Sequence, residues 1–378
     1  MYNSKITGLG YYVPENVVTN NDLKAFMETS DEWIQERTGI EERRWIDPKT
    51  GDNTSSMGAK AAKIAIERAG LTKDNIDFII FATLSPDMYF PGGGVRVQDM
   101  LDMPTIGALD IRNQCSGFIY ALSVADQFIK TGMYKNILVI GSENHSGGLE
   151  RSTRGRNVTV IFGDGAGAAI LSRSEEKGKG ILSSHLHSEG KYARELMLDG
   201  PSTGRWVPEI LNENDPEDVS YFPYMNGQFV FKHAVVRFAE AIEEGLEANN
   251  LKKEDIDMLI PHQANLRIIQ SLAKRLDFPM EKVVVRIDEY ANTSAASIPL
   301  AMCDALQDGT IKPGMTILTA TFGAGLTCGA GVIKWGERAE PVGTSDKNIP
   351  EFEGTVFDLM ADSFVHYGVD AEHLLTKA

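Results

Sequence analysis

Cys115 stands in the run Ile111-Arg-Asn-Gln-Cys115-Ser-Gly-Phe-Ile-Tyr-Ala-Leu122, just after the strand-like stretch Ile106–Ile111 and at the start of an apolar-periodic helix. The first N–H groups of a helix have no partner within it, and its positive dipole end favours thiolate over thiol, so Cys115 is expected to be an activated nucleophile. The chain has three cysteines, and neither Cys303 nor Cys328 has another at CxxC spacing, which argues against a metal cluster or disulfide framework. Further along stand Pro261-His262-Gln-Ala-Asn265 and Ala291-Asn292-Thr-Ser-Ala-Ala-Ser297. A thiol, an imidazole and a carboxamide are the parts of a thioester-handling site. Each alone also has a structural reading. A free Cys is commonly an inert small hydrophobe, a His after a strand a satisfied core residue, and Asn-Thr-Ser turn and cap chemistry.

The elements that must position these groups repeat. Leu71-Thr-Lys-Asp-Asn-Ile-Asp-Phe-Ile-Ile80 reads like Leu251-Lys-Lys-Glu-Asp-Ile-Asp-Met-Leu-Ile260, and at the same offset Asn136–Ile140 matches Thr316–Ala320. Phe162-Gly-Asp-Gly-Ala-Gly-Ala-Ala-Ile170 then resembles Phe322-Gly-Ala-Gly-Leu-Thr-Cys-Gly-Ala330. Three matches in one order indicate two duplicated α/β halves with largely parallel strands. Cys115 and Asn292 fall in comparable strand-to-helix turns of opposite halves, and His262 follows a strand of the second. Ligands of open α/β sheets bind beyond the carboxyl ends of strands, so the three groups are expected to share one site between the halves.

Composition bounds the function further. With 378 residues, 42% hydrophobic and 24% charged, the chain reads as a soluble globular protein of two domains or one duplicated unit. No apolar run reaches the length of a membrane span, and the paired-cysteine spacing of secreted domains is missing, so a cytoplasmic, membrane-free protein is expected. A net charge of −16 argues against nucleic acid and requires a local basic patch for any anionic substrate. Gly163-Asp-Gly-Ala-Gly-Ala lacks the spacing and acidic partner of a dinucleotide fingerprint and reads as tight strand packing. His185-Leu-His187 has no cysteine partner nearby, so no metal site is expected there.

In these motifs, together with Thr29-Ser-Asp-Glu-Trp33-Ile-Gln-Glu-Arg37-Thr-Gly-Ile and Arg156-Asn-Val-Thr-Val-Ile-Phe-Gly-Asp-Gly-Ala-Gly, the chain resembles β-ketoacyl-acyl-carrier-protein synthase III of the thiolase superfamily, from about Met1 to Trp335. The resemblance implies a five-layered αβαβα fold, a homodimer, and condensation of an acyl-CoA primer with malonyl-acyl-carrier protein, with no cofactor beyond the coenzyme A thioester as substrate. It implies that Cys115 carries the acyl group and that His262 Nε2–H and Asn292 Nδ2–H stabilise the enolate formed when the malonyl group loses CO2. The backbone N–H groups of Cys115 and Ala324 would form a second oxyanion hole. Phe322 would be an apolar wall beside the nucleophile, or ordinary core packing. Trp33, Arg37 and Arg156 would hold the adenine and phosphates of coenzyme A, with Gly227 and Asn265 along the pantetheine arm; Trp33 as core and Arg37 as a surface ion pair is the structural alternative. Lys232, Arg267, Lys274 and Arg275 would dock the acidic carrier protein, or simply face solvent on a helix whose apolar side is Leu266, Ile269, Leu272, Ala273 and Leu276.

Four regions are expected: 1–175 carrying the nucleophile, 176–222 as a connecting or cap segment with extra residues, 223–336 carrying His262 and Asn292, and an acidic extension 337–378. The extra residues, among them Met197, Trp206, Ile210 and Leu211, would cap the acyl pocket and admit a longer acyl group. Phe90 would close the pocket end from the partner subunit, which pulls the other way. The alternative function is a related condensing enzyme acting on longer or unusual acyl groups in secondary lipid or polyketide metabolism.

Overall fold

The computed structural model describes residues 2–202 and 220–336. In chain order the strands of the first half are β1 (Asn3–Tyr12), β2 (Val17–Thr19), β3 (Glu42–Arg44), β4 (Phe78–Ala82), β5 (Gly107–Ile111), β6 (Asn136–Glu143) and β7 (Gly165–Ser174). Those that follow are β8 (Gly180–Ser188), β9 (Leu196–Met197), β10 (Tyr224–Met225), β11 (Met258–Pro261), β12 (Thr316–Gly323) and β13 (Thr327–Lys334). The helices are α1 (Asp31–Thr38), α2 (Thr54–Arg68), α3 (Gly93–Met100), α4 (Gly117–Lys130), α5 (Arg156–Thr159), α6 (Gly227–Ala248), α7 (Leu266–Leu276), α8 (Ile287–Tyr290) and α9 (Ser297–Gln307).

One sheet has the order β1-β7-β6-β4-β5 and the other β11-β12-β13-β8. Helix α2 covers the outer face of the first sheet, α4 and α9 lie between the sheets, and α6 with α7 covers the outer face of the second. This is the expected five-layered αβαβα thiolase-like arrangement. Each layer boundary is a hydrophobic cluster. Between the sheets Phe118, Ile119 and Leu122 of α4 and Ile298 and Ala301 of α9 meet Ile80, Val139, Ile260 and Ile317 from the strands. Strands enclosed on both faces have no solvent side, which is why β6 carries the continuous apolar run Ile137–Ile140 and why β12 is buried along its whole length, its threonines included.

The duplication extends to individual contacts. Asp77 and Asp257 each accept the N–H that opens the neighbouring strand, from Asn136 at 2.9 Å and from Thr316 at 2.8 Å. Gln114 and Ser294, each opening a short turn before an inter-sheet helix, have φ of 47° and 49°. All these pairs share one constant offset along the chain.

Two expectations change. The sheets are mixed, with β4 parallel to β5 and β6, and β11 parallel to β12, while the remaining pairs are antiparallel. The physical reason is local: β12 reverses into β13 through the short turn Ala324–Leu326, and β7 takes the equivalent place beside β6. Secondly, Gly180–Ser188, placed in a connecting segment by the sequence, is the edge strand of the second sheet, paired with β13. Its alternation put His185 and His187 on a strand, and both reach Glu244 of α6, at 3.1 Å and 2.5 Å. Of the extra residues, Met197 is half-buried in a β9–β10 ladder; Trp206, Ile210, Leu211 and the extension 337–378 lie outside the described residues. Among the described residues no helix is long and apolar enough to cross a membrane.

Candidate active site

Cys115 occupies the turn between β5 and α4 and is 8% exposed. The end of β12 closes over it. A Cβ built on Gly323 would stand 3.0 Å from Cys115 Cβ and 3.1 Å from its backbone N, and Thr321 Oγ1 donates to Cys115 O at 2.8 Å. Burial pushes the thiol up to about 12; the neighbouring Ser294 hydroxyl pulls it down, and the nearby Glu143 carboxyl raises it again. This corrects the expectation of a resting thiolate. The helix N-terminus favours the charged form, but removing a sulfur anion from water costs more, so the unliganded protein holds a thiol.

His262 follows β11, its backbone N–H donating to Ala320 O at 2.8 Å, and its Nδ1 lies 2.6 Å from Ser297 Oγ. The Gln263 N–H donates to the same oxygen at 3.4 Å. The hydroxyl thus has an incoming donor and a proton of its own to give to Nδ1. That arrangement suits an imidazole protonated on Nε2, with Nδ1 accepting from the hydroxyl. Burial, with a repulsive contribution from His145, lowers the His262 pKa to about 3, so the ring is neutral. Asn292 Oδ1 accepts the Ser294 N–H at 2.8 Å, which commits the oxygen and leaves the Nδ2 protons free to point elsewhere. Its backbone is pinned to the first half, with Asn292 N donating to Ile161 O at 2.9 Å and Gly163 N donating to Asn292 O at 3.1 Å.

The run 292–297 therefore meets all three groups: Asn292 belongs to it, its Ser294–Ala296 turn packs against the Gln114–Ser116 turn that holds Cys115, and Ser297 bonds His262. Behind it lies Glu143, fully buried at the end of β6. It accepts from Thr83 Oγ1 at 3.0 Å, Leu84 N at 3.0 Å, Ser85 Oγ at 2.6 Å and Ala295 N at 3.4 Å. Burial raises its pKa to about 7 against these donors. The sequence reading missed Ser294, Ser297 and Glu143 as site residues. The signal available for Glu143 was an acidic residue ending an otherwise apolar strand.

Phe322 lies in the outer-layer core, its ring 6.3 Å from Phe238 of α6. Alternation along β12 turns Thr321 to Cys115 and Phe322 away from it, so the contacts support core packing. Ala324 sits in the turn after β12, its carbonyl accepting from Thr327 Oγ1 at 3.2 Å.

Trp33 is placed by its helix cap. Ser30 Oγ accepts the Trp33 N–H at 3.1 Å, and α1 ends at Gly39 with φ 73°. A Cβ there would lie 2.4 Å from Leu266, so glycine serves both the left-handed turn and the approach of α1 to α7. Arg37 and Arg156 each place a guanidinium carbon 4.4 Å from the Trp33 ring centre, and Arg156 Nη1 donates to Glu28 O at 2.5 Å. Asn265 caps α7 through the Arg267 N–H and donates from Nδ2 to Arg37 O at 2.9 Å, so its amide already ties α7 to α1. Gly227 opens α6 beside free space, the nearest atom to a built Cβ being Met225 Cε at 3.9 Å. Lys232 on α6 and Arg267, Lys274 and Arg275 on the adjoining α7 are all exposed. Phe90 is 81% exposed. The buried face of α7 is Ile268, Ile269, Leu272, Ala273 and Leu276, with Leu266 only half-buried.

The family described as 3-oxoacyl-(acyl-carrier-protein) synthase III matches residues 109–190, and its C-terminal counterpart residues 246–335. A β-ketoacyl-acyl-carrier-protein synthase III of Granulibacter bethesdensis is 46% identical over 88% of this chain and all of its own length. The chain belongs to the β-ketoacyl-acyl-carrier-protein synthase III family. Members of that family are acyl-transferring condensing enzymes, and so is this one. A synthase III of Shigella flexneri is 46% identical, covering 88% of this chain and 99% of its own. Among solved structures, synthase III from Aquifex aeolicus superposes with a TM-score of 0.80 at 42% identity, over 88% of this chain and 100% of its own. The priming β-ketosynthase of the R1128 polyketide pathway gives 0.80 at 31% identity, over 90% and 97%.

Proposed function

We propose that this synthase III condenses an acyl-CoA primer with malonyl-acyl-carrier protein to give a 3-oxoacyl-carrier protein, through an acyl-Cys115 thioester. The observation that carries the reading is the run Asn292–Ser297, which presents the carboxamide, bonds the neutral imidazole through Ser297 and packs its Ser294–Ala296 turn against the turn that holds the thiol. The Cys115 sulfur attacks the primer carbonyl as it gives up its thiol proton, the backbone N–H groups of Cys115 and Ala324 face the tetrahedral oxygen, and the carbon–sulfur bond to coenzyme A breaks, coenzyme A leaving as the thiol with that proton. The malonyl thioester then loses CO2. His262 Nε2–H and Asn292 Nδ2–H stabilise the enolate oxygen, and its carbon attacks the acyl-Cys115 carbonyl and expels the thiolate. A neutral imidazole suits this step, because a preorganised donor lowers the barrier without giving up a proton; removing one such donor costs about 2.7–4 kcal/mol. The only cofactor-like group required is the thioester itself.

Coenzyme A enters past Trp33. Its adenine is proposed to displace a guanidinium and stack between Trp33 and Arg156, with Arg37 on the phosphates and the pantetheine arm passing Gly227 and Asn265. The exposed Lys232, Arg267, Lys274 and Arg275 form the proposed carrier-protein surface on an otherwise acidic molecule. The assembly is proposed to be a cytoplasmic homodimer. Supporting this, β5 ends its sheet, and Met88, Tyr89, Phe90, Val95 and Leu109 are exposed around it, a combination that marks interfaces. A partner bound there brings Phe90 to the end of the neighbouring acyl pocket.

The similarity to a polyketide priming enzyme favours, as a second reading, a related condensing enzyme of secondary lipid or polyketide metabolism, for which longer or unusual acyl groups would be the primers. One experiment tests both: intact mass of the full chain and of Cys115→Ala after incubation with acyl-CoAs of increasing length. A single acyl adduct missing from the variant establishes the acyl-enzyme, and the preferred length separates the readings. No adduct with any acyl-CoA in folded protein overturns both.

A further inference from the structure

The mechanism leaves unused one buried carboxyl at the same site, Glu143. The offset that relates Asp77 to Asp257 also relates Cys115 to Ala295, Gly141 to Thr321 and Glu143 to Gly323. In the first half, β12 packs on the Gln114–Ser116 turn, and Thr321 Oγ1 reaches Cys115 O. Gly323 keeps a side chain away from the backbone there: a built Cβ would stand 3.1 Å from Cys115 N and 3.3 Å from Ser116 N. In the second half, β6 packs on the Ser294–Ala296 turn in the same way, with Gly141 against Ala295 O. At the place of Gly323 stands Glu143, whose Oε1 accepts the Ala295 N–H at 3.4 Å.

The two turns are thus copies with different occupants. At Cys115 the backbone N–H is left for the oxygen of a substrate, as the condensing reading requires. At Ala295 the equivalent N–H is taken by a carboxyl of the protein itself. The other oxygen, Oε2, accepts from Thr83 Oγ1 at 3.0 Å, Leu84 N at 3.0 Å, Ser85 N at 3.2 Å and Ser85 Oγ at 2.6 Å. One oxygen therefore anchors Glu143 to the loop after β4, and the other reaches the turn. All these partners are neutral, and a carboxylate buried among neutral donors is costly to keep. What it braces is the segment that carries Asn292 and, through Ser297, orients His262.

We propose that Glu143 is a positioning residue for the enolate step. It fills the second turn's counterpart of the acyl oxyanion hole and so holds the Asn292–Ser297 run, with the Asn292 carboxamide, in place beside Cys115. The inference rests on the condensing-enzyme reading of this site. Acylation of Cys115 draws its donors from the Cys115 and Ala324 N–H groups, on the β12 side, and is spared when Glu143 is lost. Condensation draws on Asn292 and His262 and is not.

The test separates the two half-reactions by intact mass of the full chain. Whichever of acetyl-, butyryl- and octanoyl-CoA labels Cys115 fastest is used to form the acyl-enzyme. Malonyl-acyl-carrier protein is then added, and loss of the adduct is followed. Glu143→Leu should slow that loss by about 10- to 100-fold, the effect of a small misplacement of reacting groups, with acylation within about threefold of the parent. Glu143→Gln should restore it. The Thr83 and Ser85 hydroxyls around Oε2 can turn to accept an amide NH2, which leaves the glutamine oxygen at Oε1 for the Ala295 N–H. Where Glu143→Leu does not fold, Glu143→Gly, with the residue of the counterpart position, takes its place; if neither folds while Glu143→Gln does, the residue is structural and the proposal fails. Unchanged condensation, equal losses in both half-reactions, or equal losses in the leucine and glutamine variants overturn it and leave the condensing reading intact. No acylation of the folded parent by any of the three thioesters rejects the condensing reading and this proposal with it.

Discussion

At the residue scale the site is governed by desolvation. Cys115 and His262 are both held neutral by burial, so the resting pair is thiol and imidazole rather than thiolate and imidazolium. With the thiol pushed up to about 12, its thiolate fraction rises tenfold per pH unit below that value. Iodoacetamide labelling of Cys115 should therefore climb about tenfold per unit from pH 7 to 9 without a plateau; a plateau below pH 8 would mean a stabilised thiolate. Ser297 fixes the tautomer of His262. Ser297→Ala frees Nδ1 to take the proton and turns Nε2 into an acceptor, so condensation should fall roughly 100- to 1,000-fold, as for loss of an oxyanion donor. Acylation of Cys115 should change far less, and equal losses in both half-reactions would contradict this role.

At the element scale two strand ends press on two turns. A Cβ on Gly141 would stand 2.3 Å from Ala295 O, a backbone atom with no rotamer to yield. Gly141→Ala should push the Asn292–Ser297 run away from Cys115, lowering stability by about 1–3 kcal/mol and activity much more, as read by denaturant midpoint and by turnover. The repeat was visible in the sequence because buried strands and their acidic lead-in turns, Asp77 and Asp257, are local patterns. Strand direction was not, because it depends on how chain reversals outside those patterns route the next strand.

At the scale of the whole molecule, pH dependence follows from opposed buried groups. His262 has a folded pKa of about 3 against an ordinary 6.5, so between those values the unfolded chain binds a proton that the folded one does not, and stability falls as pH drops. Glu143, raised to about 7 from 4.5, binds its proton in the folded state first and acts in the opposite sense between pH 4.5 and 7. The two offset each other from 4.5 to 6.5. Below about pH 4.5 Glu143 no longer offsets the His262 loss, which reaches up to about 1.4 kcal/mol per pH unit, and His145, also lowered by burial, acts in the same sense. Asp22 and Asp31, whose hydrogen bonds hold their pKa values down, add to it. Urea midpoints should be nearly level across the first window and drop steeply below it; an early fall starting at pH 6.5 would show that Glu143 is not the counterweight. The proposed homodimer gives a second check: if it forms through β5, Tyr89→Glu with Leu109→Glu should shift sedimentation to the monomer and reduce condensation, and sedimentation unchanged from the parent chain would rule that interface out.

The sequence by itself determined the family, the duplicated αβαβα architecture and the candidate set Cys115, His262 and Asn292, because each lies in a contiguous motif whose neighbours are fixed by backbone chemistry. It likewise placed Trp33, Arg37 and Arg156, which the structure brings around one ring. Only the tertiary structure decided the protonation states and the supporting partners. Burial is a property of the assembled layers, so the neutral thiol, the raised Glu143 and the unpartnered His145 Nε2 have no local signature. The packing of Phe322 on Phe238 and the pairing of Ser297 with His262 were hidden for the same reason: the partners are far apart in sequence and meet only when the two sheets close on α4 and α9.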